Sequence, residues 1–346
     1  MTPSAIDPPS QAEAFDPIIS TLRKTLCSES SPLALRFRAL FSLKHLASQH
    51  PPTSQTKPAI DAIAAAFASP SALLKHELAY CLGQSRNHHA APYLRRVLED
   101  RREDAMCRHE AAEALGALGD RDSLSLLRAR RDDDTEEVVV RETCEIAVER
   151  VQWEHSAQRA SEKLKRSDFA SIDPAPPMPM QQQKQQATEQ QSCIEGLQAT
   201  LLDTKIPLFQ RYRAMFALRD LASPPDLPSA VPAIQALAKG FADPSALFRH
   251  EIAFVFGQLS HPASIPSLVK TLSDMKEASM VRHEAAEALG SLGEEDGVDE
   301  VLRRFLDDPE QVVRESVIVA LDMAAYERSG DTEYAIVPEK SVEASA

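Results

Sequence analysis

The chain has 346 residues, a formal net charge of −14, a single Trp and five cysteines. An acidic chain with no basic stripe and no interleaved aromatic and basic residues is not expected to bind nucleic acid, and no apolar run approaches the ~18 residues that span a bilayer, so no membrane partner is expected. The odd cysteine count, with no Cys-x-x-Cys pair, argues against a disulfide framework and for a reducing compartment. The N-terminus, Met1-Thr2-Pro3-Ser4-Ala5-Ile6-Asp7, lacks a positive n-region and an apolar h-region, so no secretory signal is expected. The expected location is the cytoplasm, with nuclear access allowed. Acidity serves solubility, and it also suits a basic protein or a polyamine-like substrate.

Residues 1–14 are rich in Pro and Ser and are expected to be disordered. Apolar residues at three- and four-residue spacing then predict helices over 15–28, 32–48, 57–69, 71–85, 89–101, 104–119, 122–133 and 136–156. The pattern stops at 157–192, where Asp173-Pro174-Ala175-Pro176-Pro177-Met178 precedes a Gln-rich run, and a flexible linker with too few apolar residues to pack is predicted. Helices resume over 193–204, 207–223, 229–242, 245–260, 263–275, 278–293, 296–308 and 311–329, and 331–346 reads as a polar tail. Eight helices, a linker and eight helices again make an internal duplication, with halves at 15–156 and 193–330. Helix pairs recurring about every 33 residues predict an all-α fold, an α-solenoid in two pseudo-symmetric halves. Val138-Val139-Val140-Arg141-Glu142 and Gln311-Val312-Val313-Arg314-Glu315 resemble the Val-Arg start of a HEAT inner helix, so the repeats are HEAT-like.

One nine-residue stretch, Arg108-His109-Glu110-Ala111-Ala112-Glu113-Ala114-Leu115-Gly116, returns letter for letter from Arg282 to Gly290. Looser relatives begin at Lys75-His76-Glu77 and Arg249-His250-Glu251. Four His-Glu pairs therefore stand on one lattice, stepped by 109−76 = 33 and 283−250 = 33 within the halves and by 250−76 = 174 between them. The flanking repeats carry Phe37-Arg38, Tyr212-Arg213, Arg141-Glu142 and Arg314-Glu315 in the equivalent places. A packing requirement would recur in every repeat, so confinement to the central pair points to a site.

Inner helices of adjacent repeats lie about 10 Å apart. His76 and His109 can then converge with a carboxylate on one ion, and His250 and His283 with a carboxylate on another. Two imidazoles, one carboxylate and open positions suit an oxygen-activating Fe(II). If the halves face each other, the two sites adjoin. Zinc hydrolysis is a competing reading, but no second His follows any lattice His by four residues, as the metalloprotease helix requires. Glu113 and Glu287, four residues after their histidines, could accept from imidazole N–H groups or be solvated charges or Arg partners. Gly83, Gly116, Gly257 and Gly290 could thin the groove or end the inner helices. A metal-free scaffold and a phycobilin-type lyase are further readings, neither of which needs the lattice.

Two HEAT-like halves with four His-Glu pairs closely resemble deoxyhypusine hydroxylase over both folded halves. The resemblance implies a non-haem di-iron monooxygenase. It would act on deoxyhypusine in translation initiation factor 5A, with two Fe2+ ions, dioxygen and an external electron donor. It further implies that His76, His109 and Glu110 hold one iron and that His250, His283 and Glu284 hold the other. Glu77 and Glu251 would hold the substrate amine. Spacing alone leaves the division of the Glu residues open.

Overall fold

The computed structural model describes residues 16–162, 164, 168–179 and 187–329. The expectations for 1–14 and 331–346 lie outside them. The first half holds α1 (Pro17–Leu26), α2 (Leu33–Ala47), α3 (Thr56–Ala64), α4 (Ala72–Gln84), α5 (Ala91–Glu99), α6 (Ala105–Ala117), α7 (Leu124–Arg131) and α8 (Val138–Glu154). A short α9 (Ala157–Ser161) follows. The second half holds α10 (Ala187–Leu202), α11 (Leu208–Leu221), α12 (Ala230–Ala238), α13 (Ala246–Leu259), α14 (Ile265–Ser273), α15 (Ser279–Gly290), α16 (Val298–Arg303) and α17 (Gln311–Ser329). Among the described residues there is no strand. Each expected helix has a counterpart at its place, several preceded or extended by a 3-10 turn. The shortest of these counterparts is α16, which begins only after Gly297 turns the chain at φ +83°.

Sequence separates the two layers. In α5, Ala91, Leu94, Val97 and Leu98 are buried while Arg96 and Glu99 face water. This one-sided helix covers a neighbour. In α6 nearly every residue from Met106 to Gly116 is buried, polar ones included, as befits a helix enclosed on all sides. α2, α4, α6 and α8 stack side by side as the inner layer of the first half, and α11, α13, α15 and α17 do so in the second.

A basic residue near the start of each inner helix ties one repeat to the next. Arg36, Arg211 and Arg282 each donate from Nε to the carbonyl ten residues upstream, Leu26, Leu201 and Leu272, at 2.8–2.9 Å. Their guanidinium ends, with those of Arg108 and Arg249 and the Lys75 ammonium, reach carboxylates in the loops, as in Arg108–Glu136, Arg211–Asp243 and Arg249–Glu277. Arg282 and Asp308 are almost wholly buried, and the fork onto both oxygens holds the Asp308 carboxyl below its usual range against the cost of burial. Removing one partner of such a pair strands a buried charge. Arg282→Met is expected to cost about 3–5 kcal/mol, whereas Arg282→Met with Asp308→Leu should recover most of it. Thermal and urea midpoints check this, and an unchanged single-variant midpoint would refute it.

The chain closes into a ring. α8 packs on α11 and α13, and α17 on α2 and α4. Two related hydroxyl–carboxylate bonds clasp the seams: Ser71 Oγ donates to Glu315 at 2.7 Å, and Ser245 Oγ to Glu142 at 2.7 Å. Arg38 forks onto Asp322 at 2.7 and 2.8 Å. The flanking-repeat positions that lack His-Glu thus hold the ring shut. The expected linker differs in its described part. Ala175 is fully buried and Met178 packs on the second-half core. Its backbone is gripped by polar side chains, which the apolar count could not foresee: Gln84 pairs both ways with Ile172, and Arg213 binds the Pro176 and Pro177 carbonyls.

Candidate active site

Three of the four lattice helices begin on a side-chain cap five residues before the histidine (76−71, 109−104, 250−245). Ser71, Asp104 and Ser245 accept from the backbone N–H of Leu74, Met106 and Phe248. The caps fix where each helix starts, so the histidines arrive at one level in the ring. The four rings meet there. His76 lies 5.3 Å from His109 and 5.3 Å from His283 between centroids, and 5.8 Å from His250. His109 lies 5.4 Å from His250, and His250 lies 5.3 Å from His283. Contacts across the halves are thus as close as those within them. Spacing suggested two pairs that could adjoin; the structure forms a single cluster of four.

The cluster is buried and its nitrogens lack partners. All four histidines are at most 5% exposed, and neither ring nitrogen of any of them makes a hydrogen bond. Carboxylates stand close by. His76 Nε2 is 3.3 Å from Glu110 Oε2, and His250 Nε2 is 3.2 Å from Glu284 Oε2. His283 lies 3.9 Å from Glu284 and, through Nδ1, 3.6 Å from Glu287 Oε1. Three donor groups have their ligand atoms within 4.8 Å of one another: His76–His109–Glu110, His76–His250–His283 and His283–Glu284–Glu287. The first is the ligand set expected for one half. In the other half Glu287 joins Glu284, so it lies nearer the donors than a surface charge would.

Burial sets the electrostatics. It pushes the His76, His109 and His283 imidazoles below their usual range. It lifts the Glu77 carboxyl to about 7 and Glu110 to about 8, and it drives Glu113, Glu251 and Glu287 well above the ordinary carboxyl range. Neutral imidazoles and crowded carboxyls are the donor set that a divalent cation satisfies, because its charge favours the ionised carboxylate and its empty orbitals take the imidazole lone pairs. The orphaned ring nitrogens therefore fit a metal. Unpaired buried polar atoms otherwise cost about 1–3 kcal/mol each.

A cavity of about 200 Å³ adjoins the cluster. Glu77, Glu113, Glu251 and Glu287 reach it, so Glu113 and Glu287 are half-buried and face the cavity rather than the outer surface, and neither pairs with an arginine among the described residues. Glu251 Oε1 is buried without a partner. Apolar walls come from Phe37, Phe41, Tyr80, Phe254, Val319 and Met323, with Tyr80 and Phe254 edge to face at 6.0 Å. Sequence reasoning passed these over. For Tyr80 and Phe254 the signal was present, since both follow a lattice His by four residues and so share its face. The four glycines do not face the cavity. Gly83, Gly116 and Gly290 meet Ala114, Ala147 and Ala320 of the next inner helix, where a Cβ would come within 2.7–3.1 Å.

The HEAT-repeat family profile matches residues 60–148 and 231–322. A deoxyhypusine hydroxylase of Phaeosphaeria nodorum is 71% identical over 324 residues, covering 94% of this chain and 96% of that one. One from Neosartorya fischeri is 67% identical over 345 residues, the full length of both. This chain belongs to the deoxyhypusine hydroxylase family. The fold agrees: human deoxyhypusine hydroxylase, solved in complex with glycerol, superposes with a TM-score of 0.75 at 42% identity, over 89% of this chain and 96% of that one. The four-histidine cluster thus sits in a deoxyhypusine hydroxylase scaffold, and no helix among the described residues is long and apolar enough to cross a membrane.

Proposed function

We propose that this chain hydroxylates the deoxyhypusine side chain of translation initiation factor 5A, using two ferrous ions, dioxygen and an external reductant. The observation that carries the reading is the buried cluster of four imidazoles with unpartnered nitrogens, contributed equally by the two halves. His76, His109 and Glu110 would hold one ion, and His250, His283 and Glu284 the other. Bound ferrous ions would supply the activation of dioxygen, which no side chain here can provide. One oxygen atom would enter a substrate C–H bond and the other would leave as water, with two electrons from the reductant.

The remaining residues shape and orient. Glu77 and Glu251 project carboxylates into the cavity, where each can take a charge-assisted bond from a substrate ammonium. Glu287, within 3.6 Å of His283 Nδ1 and accepting from Ser316 Oγ at 3.2 Å, would set the His283 ring. Glu113 would serve the same end on α6. The aromatic walls exclude water, which strengthens each ion contact inside.

Purified protein grown with ample iron should contain about two irons per chain. Glu77→Gln and Glu251→Gln should keep that metal and bind deoxyhypusine-bearing factor 5A roughly 10- to 100-fold more weakly, the loss of a charged hydrogen bond. A well-folded protein that takes up no iron would sink the reading, as would Gln variants that bind substrate normally.

A further inference from the structure

The two halves repeat each other, so the cavity ought to have two equivalent lobes. One lobe lies between α2 and α17, walled by Phe37, Phe41, Val319 and Met323. By the repeat offsets, its counterpart between α11 and α8 is walled by Tyr212, Phe216, Ile146 and Arg150 (37+175, 41+175, 319−173, 323−173). The first lobe reaches the surface, where Phe41, Lys44 and Met323 stay partly exposed. In the second, Phe216 and Arg219, the counterparts of Phe41 and Lys44, are buried, and the chain segment between the halves packs over them. Ala175 and Met178 pack on this core. Arg219, the counterpart of Lys44 (44+175), binds Asp173 Oδ1 at 2.8 Å and stacks on Phe169 at 4.4 Å. Met178 N–H donates to the Arg213 carbonyl at 3.0 Å. Gln84 and Gln258, themselves a repeat pair (258−84 = 174), both grip the segment, at Ile172 and at Ser171.

We propose that residues 168–178 plug one of two pseudo-equivalent mouths, so that substrate enters only between α2 and α17 and its terminal ammonium is received at Glu251, toward the plugged side. The inference rests on the function proposed above. The two cavity carboxylates thereby lose their equivalence. Glu77 feels the Lys44 ammonium, which lies 4.5 Å from the Tyr80 ring. Each also faces a carboxylate of the neighbouring inner helix, Glu77 that of Glu287 and Glu251 that of Glu113, but Glu251 faces Asp173 in addition, and the positive charge of Arg219 is spent on Asp173 and Asp220. Glu251 Oε1, buried and unpartnered, is the acceptor left for a cation. Deoxyhypusine carries a secondary amine within the chain and a primary amine at its tip. Entering from the α2–α17 side, the tip goes to Glu251 and the secondary amine stays by Glu77.

The test uses full-length, iron-loaded protein with Cys27→Ser and Cys193→Ser, which removes the two cysteines that are not buried. Single cysteines are placed at the open mouth (Met323→Cys) or outside the plug (Pro179→Cys) and capped with a bulky maleimide. Binding of a deoxyhypusine-bearing factor 5A is then measured. Capping Met323→Cys should abolish binding, and capping Pro179→Cys should leave it within about twofold. The reverse pattern, or equal loss at both positions, overturns the plug while leaving the proposed function standing. If the iron-loaded parent that carries only the two serine substitutions does not bind, the proposed function itself fails, and this inference with it.

Orientation is read with a substrate acetylated on its terminal amine, which should bind wild type about tenfold or more weakly. Glu251→Gln should lose that discrimination and Glu77→Gln should keep it. Retention by Glu251→Gln refutes the assigned direction.

Discussion

Replacing His109 with alanine is expected to remove metal and lower hydroxylation at least about a hundredfold, the range in which even indirect supports of metal ligands act. His109 is fully buried, both of its ring nitrogens lack partners, and it stands in the His76–His109–Glu110 donor group. Such a ring contributes little to the metal-free fold, because its burial strands two polar atoms. The variant should therefore keep its helical circular dichroism while metal analysis falls from about two irons per chain to one or fewer. His88→Ala is the control. That ring is 64% exposed beside Asp120, and its loss should change neither metal nor activity. A His109→Ala protein with full iron and full turnover would contradict the assignment.

Gly83→Ala is expected to destabilise the protein by up to about 2 kcal/mol net, and Gly257→Ala, its counterpart in the second half, is not. A Cβ at Gly83 would lie 2.7 Å from Ala114 Cβ and 2.8 Å from its Cα. The second of these is backbone, so relief requires α4 and α6 to move apart. Overpacking of this kind costs about 1–3 kcal/mol or more, against a gain of about 1 kcal/mol from replacing a helical glycine. At Gly257 the nearest atoms of Ala288 lie at 3.4 and 3.5 Å, which is ordinary contact. There the helix gain should offset any cost. Gly83→Val should go further and reduce iron content as well, because separating α4 from α6 pulls His76 from His109, now 5.3 Å apart. Thermal midpoints with metal analysis on the three variants decide the matter. Equal midpoints for the two alanine variants would show that the spacing of the inner helices is not what the glycines protect.

The helical layers and the lattice were legible because both are periodic. Apolar spacing marks each helix, and the 33- and 174-residue steps mark which histidines share a face. What periodicity cannot carry is closure. Nothing local in Arg38 or Glu142 says that they meet Asp322 and Ser245, because those contacts depend on the curvature accumulated over four repeats. The cross-half approach of His76 to His283 follows from the same curvature. The packing of the segment around Ala175 is not legible in its apolar content. The segment is held by hydrogen bonds from Gln84 and Arg213 to its backbone carbonyls and from Gln258 and Arg219 to its Ser171 and Asp173 side chains, on a Pro-rich backbone whose entropy cost on ordering is already low. The basic ladder had a readable signal. Lys75, Arg108 and Arg249 each precede a lattice His and meet an acid 28 residues on.

The most direct test is a single-turnover reaction of ferrous-loaded protein with factor 5A carrying deoxyhypusine, a reductant and isotopically labelled dioxygen, read by mass spectrometry of the product. The account predicts that the side chain gains one oxygen atom and that this atom carries the label from dioxygen. No gain in mass, or an oxygen drawn from water, would contradict it.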